Sequence, residues 1–468
     1  MTVKAQHADY SAMATRWNMC RDAAEGEHAV HAAGELYLPK LPEEKPESYN
    51  LRRSMTPWFN ATWRTISGLR GMMFRKPPVI EVTAALDEAI KDIDLAGTTL
   101  QGLAQNVAIE ALTVGRVGLL VDYPAEATTG MTRLDAERLK LRASIAMYKS
   151  ESIINWREKR INGSTVLSMV VLKENAELPA DNEFEMVLEE RYRVLDLIEG
   201  KYRQRVFKCD KNGKDEQIGK DVLPLMNNKP LDYIPFVFIG VDCIGPKVES
   251  PPLIDLVTMN FKHYGQATSY ERGCFFSGLP SLFVTGHNSD DTKIYIGGSM
   301  ANVLPQPDAK AYFVEVQSEF NALRTNLQDK QQAMAVLGAR MLESQKAGVE
   351  SGDAIARRQT GEESLLSCVS QTISMGVTLA LHWLAAWEGV DGDVKCELNR
   401  DFLPASMDAQ MLTALVAAWQ SGAISQNSLF HMLKQGEIIE DGIDFEEEQG
   451  RIAEASPVLM GANQTVAA

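Results

Sequence analysis

The sequence predicts an α+β fold in which helices and strands are segregated along the chain. Three observations carry this. Apolar residues recur at helical spacing through most of the first 115 residues. β-Branched and aromatic residues between turn signals dominate residues 160–240. From Pro252 onward, two long helical stretches flank a β-rich insertion. The chain has 468 residues, of which 45% are hydrophobic and 24% charged, so a sizeable core is expected, in two to four domains or in one elaborate domain with insertions.

The charge balance narrows the function. With 63 acidic against 47 basic residues and a formal net charge of -16, the chain is a poor sequence-independent DNA binder, which needs clustered cations to displace counterions. A surface that DNA merely passes is compatible with it. The six cysteines (Cys20, Cys209, Cys243, Cys274, Cys368 and Cys396) lie far apart. They form no zinc-ligand spacing and read as residues of a reducing compartment. The N-terminus has no apolar signal-peptide core. Ser364 to Trp387 carries no Asp, Glu, Lys or Arg, but its Ser, Thr, Gln and His content predicts a buried helix and not a membrane span.

Residues 1–36 read as helical, and the prolines of "YLPKLPEEKPES" (Tyr37 to Ser48) make an extended connector. Thr56-Pro57 predicts a capped helix start. Phe59, Trp63, Ile66, Leu69 and Met73 then form one apolar stripe, with Arg64, Arg70, Arg75 and Lys76 on a solvated face. Pro77-Pro78 ends that helix. "VIEVT" alternates like a strand, Leu100 to Gly115 is a second helix, and "RVGLLVDYP" is a short strand. Within the β region, "CDKNGKDEQ" fails the calcium-loop spacing, so Asn212-Gly213 is read as a hairpin turn. Helices are predicted over Pro252 to Phe276 and Ser318 to Leu342, around a β insertion from Leu279 to Gln317. A very long helix then runs to about Glu388. "VKCELNRDFLP" is a strand, "SGAIS" joins two late helices, and the chain ends in an acidic tail and a small-residue coil.

Catalytic constellations are missing. The sequence holds no phosphate-binding GxxxxGK[ST], no GxGxxG and no GxSxG. "IGGSM" reads as a turn. His28 and His31, three apart beside Glu25 and Glu27, form a solvated helix face more readily than a metal site, which needs a supported third ligand. His382 reads as a hydrogen-bonded core histidine. No catalytic residue, cofactor or metal is assigned.

The order of the elements carries a resemblance. The run "YLPKLPEEKPESY…FNATWRTISGLRGMMFRKPP" is followed in sequence by "LTVGRVGLLVDYP", "IPFVFIG", "PPLIDLVTMNFKHYGQATSYERG", "SGDAIARRQTGEESLL" and "SGAIS". From about Tyr37 to Gly436 the chain resembles the portal proteins of tailed bacteriophages. It departs from them in places, for example at Lys262-His263-Tyr264. The resemblance implies a portal fold: a mixed α/β wing, a two-helix stem, a β-containing clip, a tunnel loop and an α-helical crown, assembled as a ring usually of twelve subunits. It places an N-terminal helical segment at 1–36, the wing at 37–251, stem helices at 252–276 and 318–342, and the clip at 277–317. The tunnel loop falls at 343–352, the wing's long helix and strand at 353–404, the crown at 405–440 and an acidic tail at 441–468.

By the same resemblance, Gln345, Lys346, Gly348, Glu350 and Ser351 face the DNA channel. Leu282, Phe283, Val284, Ile294 and Tyr295 belong to the clip that docks the packaging motor and then the tail adaptor. Arg64, Arg70 and Arg75 become candidates for wing contacts between subunits. The implied partners are further copies of the chain, the major capsid protein, the large terminase, the head-tail adaptor and double-stranded DNA held non-specifically, with no membrane. The implied place is the capsid vertex of a virion made in the bacterial cytoplasm. Another head-tail connector ring component, or an enzyme with an unrecognised site, are the competing readings.

Overall fold

The structure is a computed structural model that describes residues 2–123, 141–161, 163–180, 182, 184–209, 214–226, 229–278, 281–285, 308, 310–314, 320–339, 364–390, 392–400, 402, 409–420, 423–435, 438–439 and 443–455. It is mixed α/β and divides into two units, 1–400 and 401–468.

Helix α1 (Ala8–Glu25) starts where His7 Nδ1 accepts from the Asp9 N–H at 3.2 Å. It breaks at Gly26, whose φ of 107° suits glycine, and α2 follows (Glu27–Ala33). The expected connector is shorter than its prolines suggested. Pro46 lies in the first turn of α3 (Pro46–Met55), where its missing N–H leaves no bond unmade.

The expected start at Thr56 is also corrected. The Thr56 hydroxyl donates back to the Arg52 carbonyl at 2.8 Å and closes α3, so it is not free to cap the next helix. Asn60 does so instead, accepting from the Trp63 N–H at 2.9 Å, and α4 spans Ala61–Met73. The stripe shifts with it. Ile66, Leu69 and Met73 are buried, Phe59 precedes the helix, and Trp63 is exposed while Trp58 is buried.

Beyond β1 (Val79–Glu81) and the short α5 (Asp87–Lys91) comes α6 (Leu100–Val114). Thr99 caps it at Gly102, and Gly115, at φ 79°, ends it. The strands are β2 (Arg116–Asp122), β3 (Ser144–Lys149), β4 (Ile153–Ile161), β5 (Ser164–Pro179), β6 (Met186–Ile198), β7 (Lys201–Cys209), β8 (Asp215–Val222), the two-residue β9 (Leu225–Met226) and β10 (Lys229–Pro230), and β11 (Phe236–Gly240). Among the described residues these form three antiparallel sheets: β11–β2–β3, a meander of β4 to β8 in chain order, and the short pair β9–β10. The Asn212-Gly213 turn lies outside the described residues, although Cys209 pairs with Asp215 on either side of it.

The predicted helix–β–helix order is present as α7 (Ile254–Gly278), the antiparallel ribbon β12 (Ser281–Thr285) and β13 (Lys310–Val314), and α8 (Asn321–Ala339). Helix α9 (Leu365–Trp387) is long and apolar enough to cross a membrane, but it behaves as a core helix. Val369, Ile373, Val377, Leu381 and Leu384 are fully buried, and Gly376 lets Ile239 of β11 approach to where a Cβ would stand 2.4 Å from it. Strand β14 (Lys395–Glu397) returns to pair with β1.

The second unit holds α10 (Ala409–Gln420), α11 (Gln426–Gln435) and α12 (Phe445–Ala455). The acidic tail is therefore partly helical. Asp444 accepts from the Glu447 N–H at 2.7 Å, and Glu446, Glu447 and Glu448 occupy the first turn, where the helix dipole favours anions.

Candidate functional site

The hairpin of α7 and α8 is the region that sequence order singled out. Gly273 faces Phe320 near one end, and Leu256 faces Gly338 near the other, so the helices run antiparallel. One end is rooted. Leu256, Val257, Asn260, Tyr264 and Met334 are buried. Phe261 stacks on Tyr37 with centroids 4.2 Å apart, and Tyr264 meets Trp58 edge-on at 5.7 Å. Asn260 ties the root to the segment before α4 and to its first turn: its Oδ1 accepts from the Thr62 N–H and hydroxyl, and its amide donates to the Phe59 carbonyl at 2.8 Å.

His263 is buried beside these groups. Its Nε2 lies 3.2 Å from the Gln331 amide nitrogen, which can only donate, so this ring nitrogen accepts. Burial, reinforced by Lys330, lowers its pKa below the ordinary histidine value. The other end of the hairpin has no such anchor. Among the described residues of the two helices, none is buried after Thr268 in α7 or before Met334 in α8. The hairpin therefore leaves the body and carries β12–β13 at its far end.

Of the clip residues expected from sequence, Leu282, Phe283 and Val284 lie on β12, opposite Phe313, Tyr312 and Ala311 of β13. Ile294 and Tyr295 lie outside the described residues, as do Gln345, Lys346, Gly348, Glu350 and Ser351 of the expected tunnel loop. Arg64 is exposed on α4, its guanidinium 5.2 Å from the Phe59 ring centre, whereas Arg70 and Arg75 are half-buried. His31, weighed as a metal ligand, has Nε2 2.9 Å from the Thr56 carbonyl oxygen. No group of three or more His, Cys, Asp or Glu among the described residues could hold a metal ion.

Sequence reasoning missed the buried charges. Arg21 of α1 bonds Glu110 of α6 at 2.6 Å and Glu151 at 2.7 Å, tying three segments together. Arg116 is fully buried at the start of β2. Its guanidinium lies 4.0 Å from the Trp156 ring centre and 4.4 Å from that of Phe238. The signal was a charge opening an otherwise apolar strand.

The family model described as a domain of unknown function (DUF4055) matches residues 252–388, from the start of the hairpin through α9. No curated protein matches. Among solved structures, a chain of the neck of an empty gene transfer agent (GTA) particle computed with C6 symmetry is 11% identical; the match covers 83% of this chain and 94% of that one, with a TM-score of 0.39. A chain of the virion of a native GTA particle is 12% identical, with 88% and 98% covered and a TM-score of 0.38. A third, from the neck of a native particle computed with C12 symmetry, is 11% identical, with 80% and 89% covered and a TM-score of 0.37.

Proposed function

We propose that this chain is a portal subunit of a tailed-phage-like particle. Copies close into a ring, twelve-fold by the resemblance, at one capsid vertex. Double-stranded DNA enters and leaves through the central channel. The observation that carries the reading is the α7–α8 hairpin, rooted at one end by Asn260 and Tyr264 and bearing the β12–β13 ribbon at the other. That is the stem and clip order which the sequence motifs imply. Two five-residue strands bury no core by themselves. Clips of neighbouring subunits therefore complete one another and present a common end to the large terminase and later to the head-tail adaptor.

The wing, with Arg64, Arg70 and Arg75 among its contacts, meets neighbouring subunits, and the ring's rim meets the major capsid protein. In the expected tunnel loop, residues 343–352, Lys346 is the lone cation against Glu343 and Glu350. Such a loop touches passing phosphates briefly and does not hold them. The net charge of -16 suits a channel wall that lets a polyanion slide. Negative-stain imaging of the purified full chain, with mass measurement, tests the reading. Rings with a central hole are expected; a monodisperse monomer at micromolar concentration across salt conditions overturns it.

A further inference from the structure

One part of the β4–β8 sheet runs on past its neighbouring strands. Strand β4 last pairs with β5 at Leu172, and β7 last pairs with β6 at Arg191. Beyond them, β5 and β6 continue alone to the pair Pro179–Met186. Residues 173–179 and 186–190 are thus a two-stranded arm with both edges open among the described residues. The arm ends in a tight turn, where the Glu185 N–H donates to the Asn182 carbonyl at 3.0 Å and the Ala180 N–H to the Glu185 carbonyl at 3.0 Å.

Its apolar residues face water: Phe184 is 86% exposed, Leu188 65%, Met186 61% and Val187 54%. Cross-strand pairing puts Met186 and Leu188 on one face and Val187 with Leu178 on the other, so neither face is polar. A free two-stranded ribbon is marginal in water. Glu177 and Glu185 flank this apolar tip, while Glu189 and Glu190, nearer the base, pair with Arg191 and Lys173.

A matching receptor lies elsewhere on the same sheet. A cleft of about 630 Å³ is lined by His7, Trp156, Arg157, Pro246 and Lys247, with Asp9 and Glu158 also at its wall. His7 stacks on Trp156 at 4.1 Å. Arg116 backs the cleft: it donates to the Pro246 carbonyl at 3.1 Å, and its Nε and Nη1 have no acceptor among the described residues. Burial pulls its pKa down to about 9, opposed by Asp9, so it stays charged at neutral pH. The cleft therefore offers an aromatic wall and two cations, Arg157 and Lys247, matched at its rim by Asp9 and Glu158, with the buried Arg116 charge behind it. The arm cannot reach the cleft of its own chain. Trp156 pairs with Val170, nine residues from the arm's end at Pro179, which is roughly 30 Å at strand spacing.

We propose that the arm of one copy docks in this cleft of the next, with Phe184 against Trp156 and Pro246 and the Glu185 carboxylate facing Arg157 and Lys247. This contact is heterologous, the type that closes into rings. It rests on the ring reading and names one of its interfaces.

The test uses the full chain. Phe184→Cys combined with Lys247→Cys, in a Cys243→Ser background that removes the exposed thiol, should give a ladder of covalent oligomers on mild oxidation. Each single variant should give none. Phe184→Asp cannot disturb the fold at so exposed a site, and should weaken association about tenfold or more. Glu185→Lys should weaken it too, with recovery when paired with Lys247→Glu. Wild-type rings that Phe184→Asp leaves unchanged, without a ladder, overturn the contact and leave the ring reading standing. A ladder without rings supports the contact and overturns the ring reading. Monomers without a ladder overturn both.

Discussion

The β11–β2–β3 sheet and the outer arm of the β4–β8 sheet are made of similar strand residues, yet they find their partners in different places. In β2 every residue from Arg116 to Val121 is buried, as is all of β11. The covering comes from α6 and α9 of the same chain. In the arm, Met186, Val187 and Leu188 form an apolar run that is more than half exposed. An apolar run thus specifies burial, but not by which chain. The first sheet is buried within the subunit, and the docking proposed above would bury the second against a neighbouring copy.

The same substitution placed in both regions should expose this difference most strongly. Leu119→Ala empties a fully buried position and should cost about 3 kcal/mol in denaturant unfolding, from lost transfer energy and a cavity. Leu188→Ala, in subunits kept apart by Phe184→Asp, should change stability by less than about 0.5 kcal/mol. A large effect of Leu188→Ala in the separated subunits would show that the arm is covered by its own chain, and the comparison would fail.

Glycine substitutions sharpen the contrast at a smaller scale. At Gly118 in β2 a Cβ would fall 2.3 Å from Phe236 Cζ and 2.8 Å from Ile153 Cδ1. Gly118→Ala should therefore cost about 1–3 kcal/mol by overpacking. At Gly200, in the two-residue turn between β6 and β7, nothing lies within 4 Å, but φ is 75° and that of Glu199 is 51°. Such a turn needs left-handed backbone at both positions. Gly200→Ala should cost about 1 kcal/mol through backbone conformation alone. Melting of the two variants, alongside Gly200→Asn, separates the mechanisms: asparagine should recover stability at Gly200, because it tolerates the left-handed region.

Much of the subunit's interior was legible in the sequence. The α6–Gly115–β2 passage was read correctly, because helical period, a glycine stop and an apolar strand agree there. The helix–β–helix order of α7, β12–β13 and α8 was also visible. The start of α4 was not, since Thr56 can serve either the helix before or the helix after, and only the Arg52 carbonyl decides. That choice exposes Trp63 and buries Trp58. The aromatic seat of Arg116 was illegible for a related reason: its two aromatic neighbours come from strands 40 and 122 residues further along. The arm escaped notice because "FEMVL" has the composition of a core strand, and composition does not say that its neighbours stop pairing at Leu172 and Arg191.

The smallest expected effect separates the hairpin root from the base of the arm by pH. His263 at the root has a pKa below the ordinary 6.5, chiefly through burial. The unfolded chain therefore takes up its proton at a higher pH than the folded one. The stability this contributes is fully present above about 6.5 and is lost as pH falls through the lowered folded value. Glu190, where the arm joins its sheet, behaves differently. Lys173, 2.5 Å away, and the Tyr192 hydroxyl hold its pKa down to about 2. Its contribution is present above the ordinary 4.5 and disappears only as pH falls toward about 2. Amide exchange, corrected for its intrinsic pH dependence, should therefore quicken around Asn260 and Met334 between about pH 7 and 5 while residues 186–198 stay protected relative to their neutral-pH level. His263→Gln, which keeps a hydrogen-bonding group without a titrating ring, should abolish the first response. If β6 opens in the same window as α7, the two regions are coupled within one subunit, and the arm is not the independent element that the docking proposal requires.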